Sequence, residues 1–366
     1  MSNSREFWSL LIFCQKQFDL GQKLKQFISI ERMKSIGNVG KTIGGALHPL
    51  QSVRSTCTNV VLHSSHVVIN DDAITSIANI MIKDQQQKLK NVEWDAFGWH
   101  YNADSSIQGP LTCQYIFVMD SLNFCFWPTE GLEYDTLAMS LKTVLESDTN
   151  AFSSENLVNM DENKLQSWFP TFKLPLLSER VARLRELGEA LAYFDGLAAN
   201  MVSKADGSAV KLVQLILRYC PGFRDTSIYK GQLVHFYKRA QILVGDIWAA
   251  YGRPTAADHR YSFQDMDQLT MFADYRVPQI LRKFDILQYS EALSAKIDRK
   301  EEIPSGSEEE LEIRACTVIA VERLQQAFKT LGQSILVLEL DWLLWQQGEQ
   351  IKDHIPPHHR TLTIYY

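Results

Sequence analysis

At 366 residues, with 45% hydrophobic and 22% charged side chains, the chain can bury one large core or two modest ones and has an ordinary globular composition. Its formal net charge of −6 argues against a broad footprint on DNA or RNA, although a local pocket for a single phosphate remains compatible with it. The six cysteines are scattered with neither CxxC pairs nor zinc-like His spacing, which predicts a reducing compartment and no structural metal, and no apolar run nears the ~20 residues that span a bilayer.

Residues 1–45 differ from the rest, being richer in Lys and Arg than in acids and carrying a short apolar run at 8–13. They read either as an organelle presequence or as a leader helix on the domain, so the expected location is cytoplasmic, or organellar if they act as a presequence. Residues 53–70 are rich in β-branched side chains and predict a short extended piece around 66–70. Asp71 and Asp72 then cap a helix through 73–82. In WDAFGWHYN (94–102) a lone histidine, His100, sits among aromatics, which by itself reads as a satisfied core residue.

LTCQYIFVMDSLNFCFWP is almost continuously apolar but holds Asp120 and Asn123 three residues apart, on one face if helical. The expectation for Asp120 is structural, bonded to a nearby backbone turn or to an arginine such as Arg239. From 178 onward helix follows helix. Ser178 is a candidate cap for Val181, Leu184, Leu187 and Leu191, residues 208–219 form the next helix, and 232–251 form a central one. Lys238 lies inside that apolar stretch, and two partners are open for it: a buried acid, or an anionic ligand such as phosphate.

In LTMFADYRVPQILRKFDILQYS (269–290), Pro278 predicts a corner at 274–277 followed by a helix carrying Ile280, Leu281, Phe284 and Leu287 inward. Asp274 at that corner either caps the helix or pairs with Arg276, or else supplies the charge of a polar site. A loop at 299–307 leads to a helix with a Ser307–Glu310 capping box, ended by Gly332. The last core element, 334–347, is interrupted by Asp341 and Trp342, and the tail has no helical period. The whole predicts a mainly α protein with a few short extended pieces, a single domain over 46–366 and no internal repeat. No glycine-rich phosphate loop, Gly-x-Ser-x-Gly elbow or His-Glu-x-x-His is present.

Four stretches, VMDSLNFCFWP, FYKRAQILVGDIW, MFADYRVPQIL and EIRA, together resemble the signature blocks of the queuosine 5′-monophosphate N-glycosylase family of queuosine salvage proteins, in the family's order. The resemblance extends from about residue 48 to the C-terminus. It implies a helical domain similar to the helix-hairpin-helix DNA glycosylases and a hydrolase that releases queuine for tRNA modification. It implies no cofactor or metal, no direct contact with nucleic acid or membrane, and a monomer acting on a nucleotide. Asp274 is then the expected catalytic carboxylate, facing an oxocarbenium-like sugar. His100, Phe272, Lys238, Asp341, Trp342 and Gln346 are the expected substrate contacts, Lys238 for the 5′-phosphate and Asp341 for the amidine edge of the base. Relatives carry an acid where this chain has Gln346. Two other readings are a DNA base-excision glycosylase, which the acidic total disfavours, and a non-catalytic queuine-binding protein, which would bind the base without turnover.

Overall fold

The computed structural model describes residues 48–85, 94, 97–102, 109–251 and 259–366. The reading of 1–45 as presequence or leader, and Cys14, lie outside them. Among the described residues the protein is mainly α, with fourteen α-helices and two two-stranded antiparallel sheets.

Pro49 opens α1 (Pro49–Leu62), which buries Leu50, Val53, Cys57 and Val60 along one stripe. The extended piece is β1 (Val67–Ile69), paired with β4 (Leu287–Tyr289) in the register Val67↔Tyr289. In α2 (Asp71–Gln85) the capping side chain is Asn70, accepting from the Ala73 N–H, and Asp71 and Asp72 sit instead in the first turn.

The chain continues through α3 (Gly109–Leu122), α4 (Tyr134–Ser147), α5 (Ser154–Val158), α6 (Glu162–Ser167), α7 (Leu177–Leu191), α8 (Ala198–Ala205) and α9 (Ala209–Tyr219). Ser178 does not cap α7. The cap position is Leu176, and the Ser178 hydroxyl donates to Glu162. Ser208 does cap α9, accepting from the Lys211 N–H. The expected single helix over 232–251 is split: β2 (Thr226–Tyr229) and β3 (Gln232–His235) form a hairpin, and α10 (Lys238–Ala250) begins only after Tyr237, which adopts φ 52°. A left-handed residue at the junction lets the chain swing from strand into helix without a loop.

Next come α11 (Arg276–Lys283), β4, α12 (Glu291–Asp298), α13 (Glu308–Thr330) and α14 (Val337–Ile351). Helix α11 stops at Lys283, so Leu287 is buried from a strand, not from the helix, and Phe284 is only half-buried. Ser307 caps α13, while Glu310 reaches back to the Gly306 N–H, one residue earlier than a capping box requires.

Two apolar clusters result. One surrounds α3, α4, α7, α8, α9 and α10; the other surrounds α1, α11, α13 and α14, with Tyr237 packed on both. The cores are anchored by buried arginines. Arg180 donates to the carbonyls of Leu122, Phe124 and Cys125, and Arg239 to those of Asp120, Ser121 and Gly222. Each guanidinium thus satisfies the chain where α3 ends, at the edge of the cavity described below.

Candidate active site

Where the two cores meet, a cavity of about 220 Å³ opens, walled by α10, α14, the stretch that leads into α11, the chain just after α3, the start of α4 and the stretch around His100. All seven residues expected from the sequence line it: His100, Lys238, Phe272, Asp274, Asp341, Trp342 and Gln346.

Asp274 sits at the predicted corner. Its Oδ1 accepts the Val277 N–H at 2.9 Å, so it does cap α11, and Oδ2 makes no hydrogen bond among the described residues. It is not paired with Arg276, which bonds Glu349 and Gln279. Capping and facing the cavity are therefore compatible, because the two carboxylate oxygens are used separately. Burial raises its pKa, against the opposing pull of Lys238 and of the Val277 N–H.

Asp341, on α14, accepts the Phe272 N–H at 3.1 Å. Its pKa is raised well above the ordinary carboxylate value by burial and then by the neighbouring charge of Asp274. Two carboxyls sharing one enclosure cannot both ionise cheaply, and of the two Asp341 is pushed up further.

Lys238 is the first residue of α10 and is 5% exposed. The expected buried acid is not bonded to it: its ammonium has only the Asn123 carbonyl, at 3.5 Å, among the described residues. Burial lowers its pKa, while Asp274 and Asp120 hold it up. Asp120 binds neither Arg239 nor a backbone turn through its carboxylate. Oδ1 accepts from Asn123 at 3.1 Å, Oδ2 has no partner among the described residues, and burial pushes the group up to about 7.

The aromatic walls follow from one missing methyl group. A Cβ on Gly245 would stand 3.1 Å from the Phe272 ring and 3.5 Å from Trp342, so glycine lets both rings close on α10. Across the cavity His100 stacks on Trp94 with centroids 4.3 Å apart, and its Nε2 meets the Tyr134 hydroxyl at 2.9 Å.

Sequence reasoning missed Tyr134, Asp246, Glu349 and Lys352, all of which line the cavity. Only Asp246 had a visible signal, an acid within the apolar run of α10. The EIRA block proves to be support. Glu312 Oε2 accepts the N–H groups of Ser65, His66 and Val67. Arg314 grips Asp225 with two bonds and also holds the carbonyl of Ala273, the residue before Asp274. Asp225 in turn accepts the Lys238 N–H at 3.2 Å. One ion pair thus ties together the backbone of both charged site residues.

A family profile described as queuosine salvage protein matches residues 75–366. A protein of Dictyostelium discoideum named queuosine 5′-phosphate N-glycosylase/hydrolase is 44% identical over 328 residues, covering 87% of this chain and 100% of its own. Proteins of the same name from Sphaerobacter thermophilus and Bos taurus are 37% and 31% identical, with 86% and 88% of this chain and 97% and 99% of theirs covered.

Proposed function

The chain belongs to the queuosine salvage protein family, and on that premise we propose that it hydrolyses the N-glycosidic bond of queuosine 5′-monophosphate, giving queuine and ribose 5-phosphate. The observation that carries this reading is the meeting of Lys238, Asp274 and Asp341 in one aromatic-walled cavity.

Departure of the base leaves positive charge on the sugar, and the free oxygen of Asp274 is suited to stabilise it. The leaving group needs help, because a 7-deaza base has carbon where an ordinary purine is protonated on its five-membered ring. Asp341, whose raised pKa favours the neutral acid, can donate its O–H to N3 while its carbonyl oxygen accepts from the exocyclic amine. That pairing stabilises the negative charge growing on the ring. Phe272, Trp342 and His100 enclose the base, with Gln346 beside them. Lys238, whose ammonium lacks an ion-pair partner among the described residues, takes the 5′-phosphate and uses that remote binding to position the sugar.

The acting species is a monomer without a nucleic-acid partner. A cytoplasmic setting fits the five described cysteines, all free and buried. Among the described residues no helix is long and apolar enough to cross a membrane. Incubation of the pure protein with queuosine 5′-monophosphate, followed by chromatography for free queuine and ribose 5-phosphate, tests the reading; binding without release would make the protein a carrier.

Two variants probe the roles. Lys238→Met is expected to remove most of the advantage of the nucleotide over the unphosphorylated nucleoside, whose slower cleavage changes far less. Equal losses on both substrates would make the lysine structural. Asp341→Ala is expected to weaken queuine binding by about 1–2 kcal/mol, the scale of a neutral buried hydrogen bond, measured by calorimetry. An unchanged affinity would remove Asp341 from the base.

A further inference from the structure

We infer that Asp246 is the seat of a cationic amine on the nucleobase half of the ligand, the ammonium of its aminomethyl arm. The inference rests on the function proposed above and adds to it the residue that selects for the arm.

The placement comes from α10. Lys238, Ile242, Asp246 and Ala249 follow one another at steps of four, four and three residues, and all four line the cavity. At 1.5 Å per residue, Asp246 lies about 12 Å along the helix from Lys238, which places it past the sugar when the phosphate is at the lysine. Its neighbour Gly245 is where Phe272 and Trp342 close on the helix, so Asp246 borders the slot for the flat ring.

The chemistry comes from what this acid lacks. Among the acids lining the cavity, Glu133 and Glu349 are ion-paired with Lys352, and Glu349 also with Arg276. Asp274 and Asp341 each accept a backbone N–H. Asp135 is half-buried and accepts from Thr136. Asp246 is 4% exposed, and its Oδ2 has no hydrogen-bond partner among the described residues. A buried acceptor left without a donor in a cavity wall calls for a donor on the ligand. Asp341 already serves the amidine edge, which leaves the cationic arm for Asp246.

Three titratable groups face Asp246: Asp120 from α3, Tyr134 from α4, and Lys238 from its own helix. Burial, and next the charge of Asp120, raise the pKa of Asp246, with Lys238 opposing. An ammonium docked there favours the carboxylate: the ammonium keeps its own protons, and whatever proton the acid holds passes to the buffer.

The test uses two bases of nearly equal shape, 7-aminomethyl-7-deazaguanine and the neutral 7-ethyl-7-deazaguanine, titrated calorimetrically into wild type and Asp246→Asn. The variant is expected to lose at least about 30-fold in affinity for the aminomethyl base, the scale of a lost charged hydrogen bond, and less than about threefold for the ethyl base. Wild type, titrated in two buffers of different ionisation enthalpy, is expected to release more protons with the aminomethyl base than with the ethyl base. This second readout does not depend on the variant folding. Equal losses on both bases, no loss on either, or equal proton counts would overturn the assignment. If wild type releases queuine from the nucleotide yet binds the two bases alike, the proposed function stands and the role of Asp246 falls. If it binds neither base and releases no queuine, both fall.

Discussion

Asp274→Asn is expected to leave a folded protein that still binds the nucleotide and turns it over about 10²–10³-fold more slowly, the scale of one lost transition-state electrostatic contact. The amide oxygen can keep the bond to the Val277 N–H, so the start of α11 should survive the change. What disappears is the charge on the cavity side. That charge contributes little to the ground state, where the sugar is neutral, and most when the glycosidic bond is nearly broken, so kcat should fall with KM nearly constant. Single-turnover kinetics together with a thermal melt make the measurement. Turnover within a few-fold of wild type at normal stability would reduce Asp274 to a cap.

The second large effect concerns stability. Arg314 and Asp225 are both nearly inaccessible, joined by bonds of 2.6 and 3.0 Å, and the guanidinium also lies 3.9 Å from the centre of the Phe236 ring. Arg314→Met would leave Asp225 as an uncompensated buried charge and free the Ala273 carbonyl. A loss of about 3–5 kcal/mol in unfolding free energy is expected from denaturant titration. Restoring packing at the other partner separates the causes: in an Arg314→Met/Asp225→Leu double variant part of the loss should return, since Asp225 is no longer stranded and Glu310, 3.5 Å from the guanidinium in wild type, is the acid left without it. A double variant as unstable as the single one would assign the cost to lost packing and lost carbonyl bonds instead.

That these seven residues would line one cavity was reachable from the sequence for two reasons. Lys238, Asp274 and Asp341 are charges embedded in apolar runs, and such charges need a partner or a ligand. The four sequence blocks supplied roles that spacing alone left open. Asp274 shows the limit of spacing, since the cap and the cavity acid are one residue using two oxygens. Element boundaries were less legible. The run at 232–251 looked like a single helix because the short strand 232–235 runs straight into the apolar helix without a glycine or proline, and a left-handed Tyr237 has no sequence signature comparable to glycine. Ser178 looked like a cap by residue type, but its hydroxyl went to Glu162. Tyr134 carried no signal, because it reaches the cavity only through the packing of α4 on α3.

The cavity lies at the junction of two apolar cores, and this has a consequence for how the native state opens. Lys238 and Asp274 are desolvated only when the two cores come together, so the junction carries a desolvation cost that is offset by one side-chain hydrogen bond each among the described residues. Sub-global openings should therefore begin there, with water reaching these charges well before either core melts. A ligand touching α10 on one side and α14 on the other bridges that fault line. It binds the closed form alone, and by mass action it raises the free energy of opening by RT ln(1 + [L]/Kd). Substrate occupancy and protein lifetime are coupled at the same junction.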